Sequence, residues 1–369
     1  MKDKLLCILH RSPPHHGAAN IGDFIASSTH INEQFNCKFI TIKSSDKIGD
    51  IGKVNFKKFY NFLSLYIQVF WNLIIFRPKK IYFTPSIKGV AFYRDFILAS
   101  LWKAYSIISP SEIYFHYHTK GVNEFISSSP LKNSLKNFFL KNVNIVLLSP
   151  TLKKDFDKIG SMKNIYFLPN GVEDCLQKNN FHDFISSRFN SFGKVNVLYL
   201  SNMIKSKGYF DVLNLAKASI NSNINFHFAG GWQYDKDKNE FFDYIEEHNL
   251  SNFVTYHGFL TGQEKKELFK ISHLFIFPSR YKNEAFPLSI LEAFSYGIPV
   301  IASDEGAIPS MIDSKSGIIV EDIGNLQNSL IQGVAELVNK ETATYCRDHF
   351  LSNYSLKIFE ENFTRILSE

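Results

Sequence analysis

The sequence predicts an α/β protein built from two doubly wound domains, each a parallel sheet wrapped by helices. Three observations lead there. Short apolar runs alternate with longer helical patterns from one end of the chain to the other, and such alternation builds parallel sheets covered on both faces. The chain has 369 residues, too many for one ordinary hydrophobic core. Between residues 171 and 193 the rhythm breaks: Asn170-Gly171 marks a turn, and no clear strand follows until 195.

In the first half, strands are expected at residues 5–9, 39–42, 81–83, 113–117, 145–148 and 165–168. In the second half they are expected at 195–200, 225–229, 253–256, 274–277, 300–302 and 318–320. Six strands on each side of the break give domains of about residues 1–175 and 190–350, with a last helix over 354–369. No repeat of solenoid period and no low-complexity tract interrupts them. Open parallel sheets bind ligands outside the carboxyl ends of their strands. Two such domains facing one another therefore place a site in the cleft between them.

Composition narrows the class. Hydrophobic residues make up 45% of the chain, as in globular proteins. Cys7, Cys37, Cys175 and Cys346 are scattered and read as reduced thiols of a cytoplasmic protein. The apolar run after Met1 is too short for a signal peptide and reads as a first strand. Charge is uneven: residues 1–180 hold 24 Lys and Arg against 12 Asp and Glu, whereas residues 181–369 hold 17 against 23. A basic first half meets something anionic. No nucleic-acid motif is present, which leaves an anionic membrane surface. Residues 57–80 are apolar, aromatic and flanked by lysines. Asn61, Ser64, Gln68 and Asn72 break the run, so it is no spanning helix. It reads either as a helix lying at the membrane interface or as one packed on a sheet with a basic, solvated end.

Four stretches carry chemistry. Residues 11–23 follow the first strand, and the small pair Gly17-Ala18 lets backbone N–H groups approach a ligand; His15 and His16 border it. Residues 114–121 end a strand with His116 and His118 on one face, followed by Lys120. No further ligand stands nearby to make a metal site. Residues 198–211 place Asn202, Lys205 and Lys207-Gly208 between a strand and a helix. Residues 275–303 (FIFPSRYKNEAFPLSILEAFSYGIPVIAS) contain strand, loop, helix and strand. Pro287 suits the first turn of that helix, and Gly297 ends it. Glu284 at the mouth and Glu292 two turns inside both reach one extended ligand, and the helix N-terminus suits a phosphate.

This last pattern resembles the Glu-x7-Glu signature of the retaining glycosyltransferases of the GT-B fold, in particular the large family 4 (group 1). Smaller likenesses fall in the same order: Leu168-Pro-Asn-Gly-Val172 at the hinge, Gly230 in Ala229-Gly-Gly231, and Phe259 in Tyr256-His-Gly-Phe259. The resemblance spans about residues 5–365. It implies two Rossmann-like domains facing across a cleft, the first for the acceptor and the second for a nucleotide-sugar, with the last helix packed back on the first. It further implies that Gly17 and Ala18 contact the donor phosphate and that His118 points at the donor sugar. His16, His116 and Lys120 then stand on the acceptor side. Lys207 neutralises the diphosphate, while Asn202 stands where the family carries a second cation. Glu284 takes the sugar hydroxyls and Glu292 the ribose, with Phe286, Pro287 and Leu288 around the diphosphate. No metal or cofactor is expected. The partners are a nucleotide-sugar, with UDP favoured, and a lipid-diphosphate-linked saccharide of surface polysaccharide or O-antigen assembly, at the inner membrane face. A nucleotide-sugar 2-epimerase of the same fold and an inactive partner subunit are the alternatives.

Overall fold

The computed structural model describes residues 2–13, 17–42, 56–160, 162–176, 180–190 and 193–369. The chain divides into two units, Met1–Asn170 with Leu356–Glu369, and Gly171–Ser355.

Unit 1 holds six parallel strands, β1 (Lys4–His10), β2 (Asn36–Ile42), β3 (Lys80–Phe83), β4 (Glu112–Tyr117), β5 (Asn144–Leu147) and β6 (Ile165–Phe167). Their order is β2-β1-β3-β4-β5-β6. Helices α1 (Gly17–Ser27), α2 (Thr29–Gln34), α3 (Phe56–Ile75), α4 (Gly89–Ile108), α5 (Val122–Ser127) and α6 (Pro130–Leu140) connect them. Unit 2 has β7 (Val195–Leu200), β8 (Ile224–Ala229), β9 (Val254–Tyr256), β10 (Leu274–Phe277), β11 (Val300–Ser303) and β12 (Gly317–Val320), in the order β12-β11-β10-β7-β8-β9. Around this sheet run α7 (Phe181–Asn190), α8 (Tyr209–Ala218), α9 (Asp235–Glu247), α10 (Gly262–Ile271), α11 (Leu288–Ser295), α12 (Ile308–Met311), α13 (Leu326–Glu336) and α14 (Lys340–Asn353). The last helix, α15 (Leu356–Ser368), belongs to unit 1. There Phe363 meets the Tyr82 ring at 4.9 Å, and the Thr364 hydroxyl reaches the His30 ring at 3.4 Å.

Each sheet reverses its order once, between β1 and β3 in unit 1 and between β7 and β10 in unit 2. At such a switch point the loops on the carboxyl side diverge and leave a crevice. All twelve expected strands form. The main boundary shift is β2, which begins at Asn36 because its polar start pairs in register with β1, Lys4 opposite Asn36.

One side of the first sheet carries α3 to α6 over a core that includes Leu65, Val69, Phe92, Trp102, Phe115 and Phe139. The basic end expected after α3 is not wholly solvated. Lys80 is buried, because parallel pairing sets it opposite Glu112, whose carboxylate lies 2.9 Å from its Nζ. No described helix is long and apolar enough to cross a membrane.

Lys136 on α6 is wholly buried, with its Nζ 4.5 Å from the centre of the Phe92 ring. Burial lowers its pKa to about 7, against ~10.4 in an unfolded chain. The folded state therefore sheds this proton first, and stability gains with pH between about 7 and about 10. Lys136→Met is expected to melt above the native chain at pH 6, with the gap closing as pH rises to 9. Calorimetry at several pH values reads this, and equal melting shifts at all pH values would refute it.

Candidate nucleotide-sugar site

The strongest constellation lies in unit 2 at its switch point. One wall is the loop after β7, residues 201–208, and the other is the loop after β10, residues 278–287. Arg280 N–H donates to the Ser206 carbonyl at 2.7 Å, and its guanidinium pairs with Asp211 at 2.6 Å. Gly208 closes the first loop at φ +84°, and a Cβ there would meet the Pro278 carbonyl oxygen at 2.3 Å. Only glycine permits that approach. The buried Tyr199 hydroxyl donates to the Lys207 carbonyl at 3.2 Å, which fixes the loop from below.

Between these walls Lys207 Nζ stands 3.1 Å from Glu284 Oε2, with side-chain exposures of 16% and 9%. Lys207 also lies over the Tyr281 ring, 5.3 Å from its centre. Glu284 is held by a tight turn, its N–H donating to the Tyr281 carbonyl at 2.7 Å. Ser279 Oγ is 3.5 Å from the same carboxylate oxygen. Burial pushes the Tyr199 phenol far up, and the Glu284 charge adds to the shift. A cation and a carboxylate are thus set side by side at the carboxyl ends of β7 and β10, where one can meet phosphate and the other hydroxyls.

Helix α11 starts at Leu288, with Pro287 as its N-cap at φ −69°, ψ 119°. Pro287 therefore precedes the first turn rather than filling it. Gly297, at φ +65°, follows the end of the helix as expected. Phe286 is buried and meets the Tyr354 ring edge-on at 6.0 Å, so it shapes the loop from the core side. Leu288 is half-buried. Glu292, also half-buried, takes the Lys265 ammonium of α10 at 2.6 Å, a partner that nothing in the local sequence announces.

The remaining positions of unit 2 border the same strand ends. Asn202 is half-exposed and its carbonyl accepts from Ile204 N–H at 2.8 Å. Gly230, at φ +150°, presses on the Ser201 carbonyl, and a Cβ would sit 1.7 Å from that oxygen. Phe259 is 61% exposed and offers an aromatic face beside Gly231. Lys205, beside Asn202 in the same loop, is turned toward α9. Its ammonium lies 2.6 Å from Glu240 and 3.8 Å from Asp237 on α9.

Unit 1 departs more from expectation. Gly17 and Ala18 are not a turn but the first residues of α1. His16, with His15, lies outside the described residues. His116 faces no acceptor: it is fully buried in β4, bonded to the Tyr82 hydroxyl. Burial, with the neighbouring His118, holds it neutral, far below the usual imidazole pKa. An interior strand of a covered sheet hides both faces, so alternation along β4 could not reveal this. His118 follows the strand, half-buried, with its ring 4.1 Å from that of His116. Lys120, also half-buried, precedes α5. The α5 N-terminus is filled by the Asp155 carboxylate, which accepts from Gly121, Val122 and Asn123 N–H at 2.7–2.9 Å.

Sequence reasoning missed Arg280, Ser279, Tyr281 and Lys265. The first three lie inside the 275–303 run, where their loop position was the available signal. Lys265 gave none.

A lysine–glutamate pair thus stands at the switch point of a doubly wound unit. Residues 184–349 match the family described as glycosyl transferases group 1. That match lies within the second unit, and the fold of the chain is GT-B, as in its structural neighbours. O-antigen chain mannosyltransferase C of Escherichia coli is 31% identical over 121 residues, 32% of this chain and 31% of that protein. O-antigen chain mannosyltransferase B of the same organism is 20% identical over 235 residues, 62% of this chain and 58% of that protein. The chain thus matches less than two thirds of either relative's length. Among solved structures, Anabaena Alr3699/HepE in complex with UDP superposes with a TM-score of 0.70 at 15% identity, over 99% of each chain.

Proposed function

We propose that the protein is a retaining glycosyltransferase. It moves a sugar from a UDP-sugar to a saccharide carried on a lipid diphosphate, in bacterial surface polysaccharide or O-antigen assembly at the inner membrane face. The observation that carries this is the Lys207–Glu284 pair, 3.1 Å apart at the switch point of unit 2. The O-antigen relatives and the UDP-bound structural neighbour support the acceptor class and the donor. The basic first half of the chain supports an anionic, membrane-borne acceptor.

On this reading the donor diphosphate lies between Lys207 and the N-terminus of α11, whose first N–H groups have no acceptor within the helix. Glu284 accepts hydrogen bonds from hydroxyls of the transferred sugar, Glu292 holds the ribose, and Gly230 and Phe259 border the base. In unit 1, His118 is the sugar-facing residue and Lys120 an acceptor-facing cation. The sugar C1–phosphate oxygen bond breaks as the C1–acceptor oxygen bond forms on the same face. The acceptor proton passes to the departing phosphate oxygen, so no separate side-chain base is needed. Preorganised charge at the leaving group provides the rate enhancement.

Incubation of the protein with UDP-sugars and extracted lipid-linked saccharide tests the reading. Nucleotide is expected to be released only when acceptor is present, and proton NMR of the product is expected to show the anomeric configuration of the donor. Inverted product refutes retention. Conversion of the nucleotide-sugar without acceptor shows an epimerase instead, and no turnover with any donor shows an inactive partner. Because Lys207 and helix N–H groups supply the positive charge, the rate is expected to stay within about twofold in excess EDTA. Loss of activity restored by Mg2+ or Mn2+ would show that a metal carries that charge.

A further inference from the structure

Two neighbouring helices of unit 1 turn uncharged, apolar faces to solvent. On α3, Tyr60, Ile67, Phe70, Trp71 and Ile74 are each more than 40% exposed. Their spacing follows one helix face, while Leu65, Val69 and Leu73 on the opposite face are buried in the core. On α4, which packs beside α3, Val90, Tyr93, Ile97, Ile107 and Ile108 are exposed in the same way, again with no charged residue among them. Soluble monomers rarely leave contiguous apolar patches this extensive open. Cations stand at both ends of the pair: Lys88 before α4, and Arg77 and Lys79 after α3, with Asp3 3.4 Å from Lys79. Residues 56–111 hold eight Lys and Arg and one acid. That acid, Asp95, is buried against Arg94.

We infer that the outer face of α3 and α4 is a docking surface that lies in the headgroup region of an anionic membrane. An amphipathic surface with aromatic residues at its middle and cations at its margin matches the chemistry of that layer. A second copy laid isologously on the same face would bring like charges together, whereas an anionic leaflet attracts them. The surface deepens the reading of a membrane-borne acceptor and rests on it for its purpose, but its test is separate.

Vesicles of phosphatidylglycerol and phosphatidylethanolamine are floated with the protein at low and high salt, beside phosphatidylcholine vesicles. The native chain is expected to float with the anionic vesicles at low salt, and more than tenfold less at high salt or with neutral lipid. Brominated lipid is expected to quench part of the tryptophan emission, and that part is expected to be lost in Trp71→Phe, which leaves Trp102 and Trp232 in place. The combined Ile67→Asp and Ile97→Asp variant is expected to lose at least tenfold in vesicle binding. Tyr234→Ser with Ile331→Asp, which alters two exposed apolar residues of unit 2, is expected to lose none.

Failure of the native chain to float with anionic vesicles overturns the inference. So does unchanged binding by the α3/α4 variant, or a dimer in light scattering that this variant abolishes without any vesicle binding. Transfer to a short soluble acceptor is measured alongside. Transfer without vesicle binding removes the docking surface and leaves the enzyme reading. Vesicle binding without transfer does the reverse.

Discussion

Lys207→Ala is expected to lower the transfer rate at saturating donor by about a hundred- to a thousandfold, the usual cost of removing one preorganised charge from a developing anion. Its ammonium is held in place three times over, by Glu284 at 3.1 Å, by the ring of Tyr281 and by a loop that Gly208 packs against Pro278. The substitution has a second consequence, because Glu284 is 8% exposed and loses its cation. A buried carboxylate without its partner costs about 1–3 kcal/mol, so the variant is also expected to unfold at lower urea. UDP affinity is expected to fall together with the rate. Steady-state kinetics, UDP titration calorimetry and urea melts separate these effects. A rate within threefold of native in the folded variant would remove Lys207 from the leaving-group role.

Glu284→Ala is expected to cost less in rate, about ten- to a hundredfold, equivalent to about 1–3 kcal/mol of hydrogen bonding to the sugar. Its mark is the opposite effect on nucleotide. Freed from the carboxylate, Lys207 faces the diphosphate without a competing anion, and UDP is expected to bind as tightly as to the native chain or more tightly. Glu284→Gln keeps one acceptor for a sugar hydroxyl and is expected to fall between the two. If Glu284→Ala instead weakens UDP binding as much as Lys207→Ala does, the carboxylate serves only to position the lysine and does not read the sugar. Transfer by folded Glu284→Ala at the native rate would remove it from the site altogether.

The two variants also bear on what the missing cation means. Asn202 stands where a second positive charge was expected, and Lys205 is engaged by Glu240 and Asp237. Arg280 is tied to Asp211 at 2.6 Å and to the loop of Lys207 through its backbone, and Lys282 is exposed on the same loop as Arg280. Among the described residues of these loops, Lys207 is the cation set against Glu284.

Local sequence determined the elements. Covered parallel strands bury both faces, so each is written as a short apolar run, and twelve such runs marked twelve strands. Glycine at positive φ marked the end of α11 at Gly297 and the loop at Gly208, because no other residue takes those conformations cheaply. The spacing of Glu284 and Glu292 across a loop and a helix start placed the candidate site in the second half of the chain. Tertiary structure decided the partners, because they come from segments distant in the chain. Strand register buried Lys80 against Glu112 and shut His116 inside its sheet. The switch between β7 and β10 brought Lys207 to Glu284, and the packing of α10 on α11 gave Glu292 its lysine. The phase of α3 on its sheet chose which apolar residues stay outside. Periodicity fixes what a segment forms and which residues share a face, whereas the neighbours that cover that face are set only when distant segments pack.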